Sequence, residues 1–263
     1  MENIIEINNL SKKFGAFAAV DGISLFVSPG EIFAFLGPNG AGKTTTIKML
    51  TTLLEPTSGS IRLNGFDVSS DQQNTRKSFG IVFQDQSLDD ELTAKENMEI
   101  HCVLYKVPKV ERAQKIETLL RMVELWERKD ETIKKFSGGM KRRLEIARGL
   151  LHSPKVLFLD EPTLGLDPQT RNHIWDYIAK LVSQGVTVFF TTHYMEEAER
   201  YATRVAIIDK GKIAALGTPG EIKERSGKQT LEDAFIALTG REMRDEEANV
   251  DDRFRMMERV WKK

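Results

Sequence analysis

The stretch Gly37-Pro38-Asn39-Gly40-Ala41-Gly42-Lys43-Thr44 constrains this chain more than any other. It reads G-x-x-x-x-G-K-T. Before it, the apolar run Ile32 to Leu36 has the length and composition of a buried strand. After it, Thr45 to Leu50 continues as a helix. Strand, glycine-rich turn and helix in that order make an anion cradle. The glycines let the backbone curl until several N–H groups point inward, and the helix N-terminus adds its partial positive charge at the same spot. Lys43 is placed to reach the β- and γ-phosphates of a nucleotide, and the Thr44 hydroxyl to take a magnesium ion. The alternative is a chance match in a glycine-rich turn, on the order of 1% for a chain of this length at average residue frequencies.

Composition narrows the rest. A chain of 263 residues makes one large domain or two small ones. The formal net charge of −1 gives no general pull toward nucleic acid, so no nucleic-acid partner is expected. The single cysteine, Cys102, cannot form an internal disulfide, which fits a reducing compartment. The acidic start Met1-Glu2-Asn3-Ile4-Ile5-Glu6 lacks a signal-peptide pattern, and no apolar run has the length needed to span a bilayer. A soluble protein is expected, with any membrane role arising through a partner. There is no internal repeat and no second phosphate loop.

Along the chain, residues 4–10 read as a strand, and Phe17 to Val20 and Ser24 to Val27 as two more short ones. These precede the phosphate loop and suit an antiparallel layer. Ile61-Arg62-Leu63 is a strand closed by the turn pair Asn64-Gly65. Ile81 to Phe83 is another, running into Gln84. Then the pattern changes. Thr93-Ala94-Lys95-Glu96 is a capping box, Pro108 opens a further helix, and Ile116, Leu119, Leu120 and Val123 share one apolar face. With the basic helix that runs to Leu150, this predicts a helical subdomain over about 86–150. Val156 to Leu159 and Val186 to Thr191 read as strands buried on both faces, with a helix from Pro168 to Ser183 between them. Strands at 205–208 and 212–216 follow, then the capping box Thr218-Pro219-Gly220-Glu221 and an amphipathic helix through Leu231, Ala234, Phe235 and Leu238. Strands alternating with helices argue for a mostly parallel α/β sheet. Beyond Gly240 the tail is dense in both charges. Its stripe of Val250, Phe254, Met257 and Trp261 fits a solvated helix or one that packs on a partner subunit.

A phosphate loop alone fits kinases, GTPases, helicases and transport ATPases alike. Asp160 narrows the choice, because it ends a buried strand where the ligand sites of parallel sheets lie. A carboxylate there can hold magnesium, and Glu161 beside it can face the γ-phosphate and an in-line water. A solvated strand end is the alternative.

Phe136-Ser137-Gly138-Gly139-Met140, followed by Lys141-Arg142-Arg143-Leu144, resembles the signature sequence of ABC transporter ATPases. The usual form begins with leucine and ends with glutamine, so this chain departs at both ends of the Ser-Gly-Gly core. The variant looks like that of the ABC-2, drug-resistance and nodulation-type export branch. The resemblance extends over nearly the whole chain, with all motifs in family order. It implies a P-loop NTPase fold of the ABC ATPase kind: a mostly parallel core sheet, an N-terminal antiparallel β layer and an inserted α-helical subdomain. The ATPase domain would span 1–240 and the charged tail 241–263.

The resemblance also implies ATP and Mg2+ as ligands. Gly37, Pro38, Asn39, Gly40, Ala41, Gly42, Lys43, Thr44 and Thr45 would surround the phosphates. Thr44, Gln84 and Asp160 would hold the metal, and Glu161, His193 and Gln84 would act on the attacking water. Ser137, Gly138 and Gly139 would meet the γ-phosphate held by an opposite subunit, with Asp167 of the Leu164-Gly165-Leu166-Asp167 loop close by. Phe14 stands where the family usually has a tyrosine on the adenine, and a core phenylalanine is the other expectation for it. The implied partners are integral membrane permease subunits and a second ATPase subunit, identical or paired. The implied location is peripheral, on the cytoplasmic face of the cell membrane.

The function expected is therefore the ATP-hydrolysing subunit of an ABC exporter. An importer ATPase of the same family is the first rival. Against it stand the Phe-Ser-Gly-Gly-Met variant and the exporter-like Leu231 to Arg241. A soluble ABC-type ATPase working on DNA or ribosomes is the second. No heptad run lies between Lys43 and Ser137, and the chain carries one cassette rather than two. A phosphate-loop kinase would leave Ser137 and His193 unexplained.

Overall fold

A strand that is apolar at every position needs a layer on each side of its sheet. A computed structural model of the chain describes residues 3–240 and has both layers. The central sheet contains β3 (Ile32–Leu36), β6 (Phe79–Val82), β7 (Val156–Asp160), β8 (Thr187–Thr191), β9 (Arg204–Asp209) and β10 (Lys212–Gly217). Its order is β10-β9-β3-β8-β7-β6, parallel throughout except for the β9–β10 hairpin. A second, antiparallel sheet is formed by β1 (Ile5–Phe14), β2 (Phe17–Val27), β4 (Ser58–Leu63) and β5 (Phe66–Asp67), in the order β2-β1-β4-β5.

Alternate residues of the central strands serve opposite cores. Phe33, Phe35, Phe158, Phe189, Ala206 and Ile208 face the antiparallel layer and α1 (Lys43–Leu50). Ala34, Leu36, Leu157, Leu159, Val188 and Phe190 face α6 (Pro168–Ser183), α7 (Met195–Tyr201) and α9 (Leu231–Thr239). On the first side Phe33, Phe35 and Phe158 all pack on Phe189 at centroid distances of 5.4 to 5.5 Å. Such ring pairs add about 0.5–1.5 kcal/mol each beyond their burial. The site therefore stands on a support with no soft face.

Helices α3 (Ala94–Leu104), α4 (Lys109–Met122) and α5 (Gly138–Gly149) gather a separate core from Met98, Cys102, Ile116, Leu120, Val123 and Leu144. The predicted capping box is formed: Thr93 Oγ1 accepts from the Glu96 amide at 3.1 Å, and Glu96 accepts from the Thr93 amide at 2.8 Å. Thr218 and Glu221 do the same ahead of α8 (Pro219–Ser226). The helices attach to the central sheet through α5. A Cβ at Gly80 of β6 would collide with the Gly149 carbonyl, so the two backbones touch directly.

Four local features differ from the sequence expectation. Residues 17–27 form one strand rather than two, because the ladder with β1 absorbs Gly22 in a register shift, and the Gly22 amide is satisfied by Ser11 Oγ at 2.9 Å. Pro108 is the N-cap of α4 rather than its first residue. Two seven-residue helices went unanticipated, α2 (Gln72–Ser78) and α7, since both are too short and polar for a clear apolar period. The stripe at 250–261 lies outside the described residues.

Beneath the helical region, the rings of His101, Tyr105 and His152 form a stack, with Tyr105 at 4.6 Å from His101 and 4.0 Å from His152. His152 Nε2 meets the Phe79 carbonyl at 2.8 Å. Burial, with smaller contributions from Arg148 and His152, pushes the His101 pKa down from 6.5 to about 3. The unfolded chain thus takes up a proton at His101 that the folded chain refuses. That stabilisation is complete above the ordinary value and is lost as pH falls from there toward the folded value. His101→Phe keeps a ring against Tyr105 and removes the titration. Melting temperatures measured from pH about 7.5 to about 4.5 should show the variant gaining on the parent as pH falls; a constant difference would exclude His101 as a source of acid sensitivity.

Candidate functional site

The phosphate loop joins β3 to α1, and packing explains its glycines. Gly42 has φ +113°, and a Cβ there would come within 2.5 Å of the Ala19 carbonyl. Only glycine combines that dihedral with that approach. β2 thereby leans on the loop. Lys43 is buried and its ammonium donates to the Gly37 carbonyl at 2.5 Å and the Pro38 carbonyl at 3.3 Å. α1 has no side-chain cap, and the amides that open a helix are the donors an anion takes. Asn39, Gly40 and Thr44 are exposed and Thr45 partly so, whereas Gly37, Pro38, Ala41 and Gly42 are buried in the cradle wall.

Two carboxylates meet this cradle at the end of β7. Asp160 pairs with Thr191 of β8, and Thr191 Oγ1 donates to Asp160 Oδ1 at 2.5 Å. Burial raises the Asp160 pKa and the Glu161 charge raises it further, while Thr191, Lys43 and Arg142 act the other way. Glu161 follows with φ +51°, a conformation non-glycine residues adopt at a cost of about 1–3 kcal/mol. The surrounding bonds enforce it. Its amide donates to Thr191 Oγ1 at 3.1 Å and to the Thr191 carbonyl at 3.2 Å. Its Oε1 meets His193 Nε2 at 2.6 Å, with the two side chains 8% and 7% exposed. Its Oε2 is buried without a hydrogen-bond partner among the described residues. One oxygen is thus spent on orientation and the other is left for a donor.

Glu197 of α7 braces both strand exits. It accepts from Thr163 Oγ1 at 2.7 Å and from Thr192 Oγ1 at 2.8 Å, two residues after Glu161 and one before His193 respectively. Gln84 follows β6, and its carbonyl accepts from Arg142 Nη2 at 3.4 Å.

The Ser137 segment stands elsewhere. Ser137 is the N-cap of α5 and accepts from the Met140 amide at 3.3 Å. Ser137 and Gly138 are exposed. Gly138 and Gly139 lie over Leu166 and Thr170, and a Cβ on Gly139 would come within 2.6 Å of the Thr170 methyl. Asp167 caps α6, accepting from the Thr170 amide at 3.0 Å and the Thr170 hydroxyl at 2.6 Å, and these bonds lower its pKa. Ser137 to Gly139 and Asp167 therefore form one exposed surface, while Lys43, Asp160, Glu161 and His193 form a buried cluster. Phe14 is 51% exposed at the end of the β1–β2 hairpin, with Lys12 Nζ 5.4 Å from its ring centre, so it is not a core residue.

Sequence reasoning missed Thr191, Glu197, Arg142 and Glu145. Thr191 was seen only as the last residue of a strand. Arg142 and Glu145 lie in a helix that reads simply as basic; their spacing of three was the available signal.

Thr44 lies in the first turn of α1, Asp160 ends β7 and Gln84 follows β6, and a hydroxyl, a carboxylate and an amide oxygen are the donors a hard divalent cation takes. A cation would also relieve the adjacent charges of Asp160 and Glu161.

Comparison with known proteins agrees with this geometry. The ABC transporter family profile matches residues 20–164. The daunorubicin/doxorubicin resistance ATP-binding protein DrrA of Streptomyces peucetius is 42% identical over 86% of this chain and 69% of its own. The linearmycin resistance ATP-binding protein LnrL of Bacillus subtilis (strain 168) is 40% identical, over 87% and 73%. The Nod factor export ATP-binding protein I of Cupriavidus metallidurans is also 40% identical, over 84% and 73%. Among solved structures, an ATP-binding subunit of an ABC transporter superposes with a TM-score of 0.82 at 30% identity, covering 89% of this chain and 99% of that one. A dimeric ATP-binding cassette in a post-hydrolysis state with ADP and Pi matches at 0.73 and 28%, covering 81% and 98%. With its phosphate loop, paired carboxylates and Ser-Gly-Gly helix cap in place, the chain belongs to the ABC transporter family, as one of its ATP-binding subunits, whose general activity is ATP hydrolysis.

Proposed function

We propose that this chain powers export: it binds Mg-ATP, pairs with a second ATPase subunit, hydrolyses the nucleotide and passes the stroke to separate permease subunits. The carrying observation is the Glu161–His193 contact of 2.6 Å beside Asp160. It leaves a buried carboxylate oxygen aimed away from its orienting histidine. Hydrolysis is phosphoryl transfer to water, which depends on positioning and charge stabilisation. Glu161 polarises the attacking water, His193 holds Glu161 in place, and Lys43 with the loop amides balances the β- and γ-phosphate charge. Thr44, Asp160 and Gln84 would hold Mg2+, which when bound neutralises phosphate charge.

Export as the direction is supported by the relatives above, whose names refer to drug resistance and Nod factor export. A paired arrangement is supported by the exposure of Ser137 and Gly138, an anion-binding helix start turned outward. The ATPase domain is taken as 1–240 with the helical subdomain inserted over about 86–150. No described helix is long and apolar enough to cross a membrane. Permease docking is assigned to residues 85–92; apart from these, a groove of about 410 Å³ lies between α2 and the end of α3, lined by Gln73, Arg76, Leu104 and Tyr105, and α3 also exposes Ile100 and Val103. On this reading the subunit sits at the cytoplasmic face of the membrane through its permease.

Three experiments test these assignments. Phe14→Ala should weaken ATP binding by about 1–3 kcal/mol, the range for base–aromatic stacking, with folding intact. Unchanged affinity in a titration with a fluorescent ATP analogue would remove Phe14 from the site. A Ser137→Arg chain should bind ATP without hydrolysing it. Mixed with a Lys43→Ala chain, it forms heterodimers with one intact composite site, and cross-links between Ser137 and Lys43 positions should appear only between chains. Cross-links confined to single chains would defeat the paired arrangement. Glu161→Gln should lower turnover by about 10²–10⁴-fold, the usual contribution of a general base, while ATP binding persists. Near-normal turnover would dismiss Glu161 as the base, and lost ATP binding would reassign it to a structural or metal role.

A further inference from the structure

Glu161 and Gln84 are held from behind by one guanidinium. Arg142, in the second turn of α5, is buried. Its Nη1 donates to the Phe83 carbonyl at 2.6 Å and to Glu145 Oε2 at 3.3 Å. Its Nη2 donates to the Glu161 carbonyl at 3.2 Å and the Gln84 carbonyl at 3.4 Å. Glu145, on the same face of α5, uses Oε1 to accept from the Ser87 amide at 2.8 Å and the Ser87 hydroxyl at 3.2 Å. One turn further, Arg148 donates to the Ser87 carbonyl at 2.8 Å and to the Ser87 hydroxyl. One helix face thus grips the segment from Phe83 to Ser87 at both ends, and the same arginine reaches Glu161.

The position of that last bond matters. Glu161 is in the left-handed region, and Thr191 pins the peptide before it. Arg142 pins the peptide after it. Together they fix the rotation of the backbone that carries the carboxylate. A planar fork with donors on two nitrogens can serve these divergent carbonyls at once, which a lysine ammonium cannot match.

We propose that Arg142 is a positioning residue for hydrolysis, holding the backbones of Gln84 and Glu161 in one register so that carboxylate and glutamine are aimed together. The inference rests on the roles given above to Glu161 and Gln84. Hydrogen bonds from Arg142 that only fasten α5 to the sheet are the competing account.

The test uses the full chain. Arg142→Met combined with Glu145→Gln removes both charges of the pair, so Glu145 is not left as a buried carboxylate without its cation. Turnover is measured as kcat and KM, ATP binding with a fluorescent analogue, and folding by melting temperature. The double variant should bind ATP within about threefold of the parent while kcat falls on the order of 10²-fold, the loss that follows a misplacement of about 1 Å. Arg142→Lys keeps a cation facing Glu145 and should give an intermediate kcat with KM retained. A kcat within about threefold of the parent in either folded variant, or ATP affinity falling as far as kcat, would overturn the proposal. If the double variant does not fold, Arg142→Lys decides alone: kcat reduced with KM retained supports positioning, and parental kcat overturns it. Glu161→Gln run in parallel separates the two levels. If it keeps near-normal turnover, the role of Glu161 fails; if it is inactive while the Arg142 variants are active, only the present inference fails.

Discussion

Two adjacent carboxylates have to be kept together at the end of β7, and Thr191 is what keeps them. Its hydroxyl donates to Asp160 and accepts from the Glu161 amide, so one side chain on the neighbouring strand sets both. Two residues on, the same chain segment supplies His193 to Glu161. The β7–β8 pairing is therefore the frame of the chemistry, and β8 contributes as much to the geometry as the residues that carry charge. Like charges this close resist burial. Beside the Thr191 hydrogen bond, the charges of Lys43 and Arg142 oppose the rise that burial imposes on Asp160.

Strand order explains why the pieces converge. β3, β8, β7 and β6 are consecutive neighbours in the central sheet. The phosphate loop leaves β3, His193 follows β8, Asp160 ends β7, and Gln84 follows β6. Four parallel neighbours deliver four groups to one edge, outside the carboxyl ends where α/β sheets hold their ligands. Cores on both faces of this sheet keep those ends at fixed spacing. The Ser137 surface belongs to the helical region instead and reaches the sheet through α5, where Gly80 meets Gly149.

Much of this was legible in the residues. Apolar runs of four or five residues announced the central strands, and both capping boxes marked their helices to the residue. The glycine-rich loop, Asp160-Glu161 and Ser137-Gly138-Gly139 stood out because their chemistry is tied to sequence-local spacing. What stayed hidden depends on contacts between distant segments. Arg142 and the Phe83 and Gln84 carbonyls lie 59 and 58 residues apart, and Thr163 and Glu197 are separated by 34. No local pattern encodes such partners. The unbroken β2 escaped for a related reason: the amide of Gly22 is satisfied by Ser11 across the ladder.

The bare contact between Gly80 and Gly149 sets one end of α5 directly against the sheet. Ile146 and Leu150 pack into the sheet-side core and Ala147 and Leu151 into the helical one, so this end of the helix is clamped between the two. Its 12 residues extend about 18 Å at 1.5 Å each. A swivel of about 10° would carry Ser137 roughly 3 Å, about the length of a hydrogen bond, and Arg142 a little over half as far. The tip that offers an anion site and the arginine moored to Glu161 would then move on one arm, at different radii, about that clamped end.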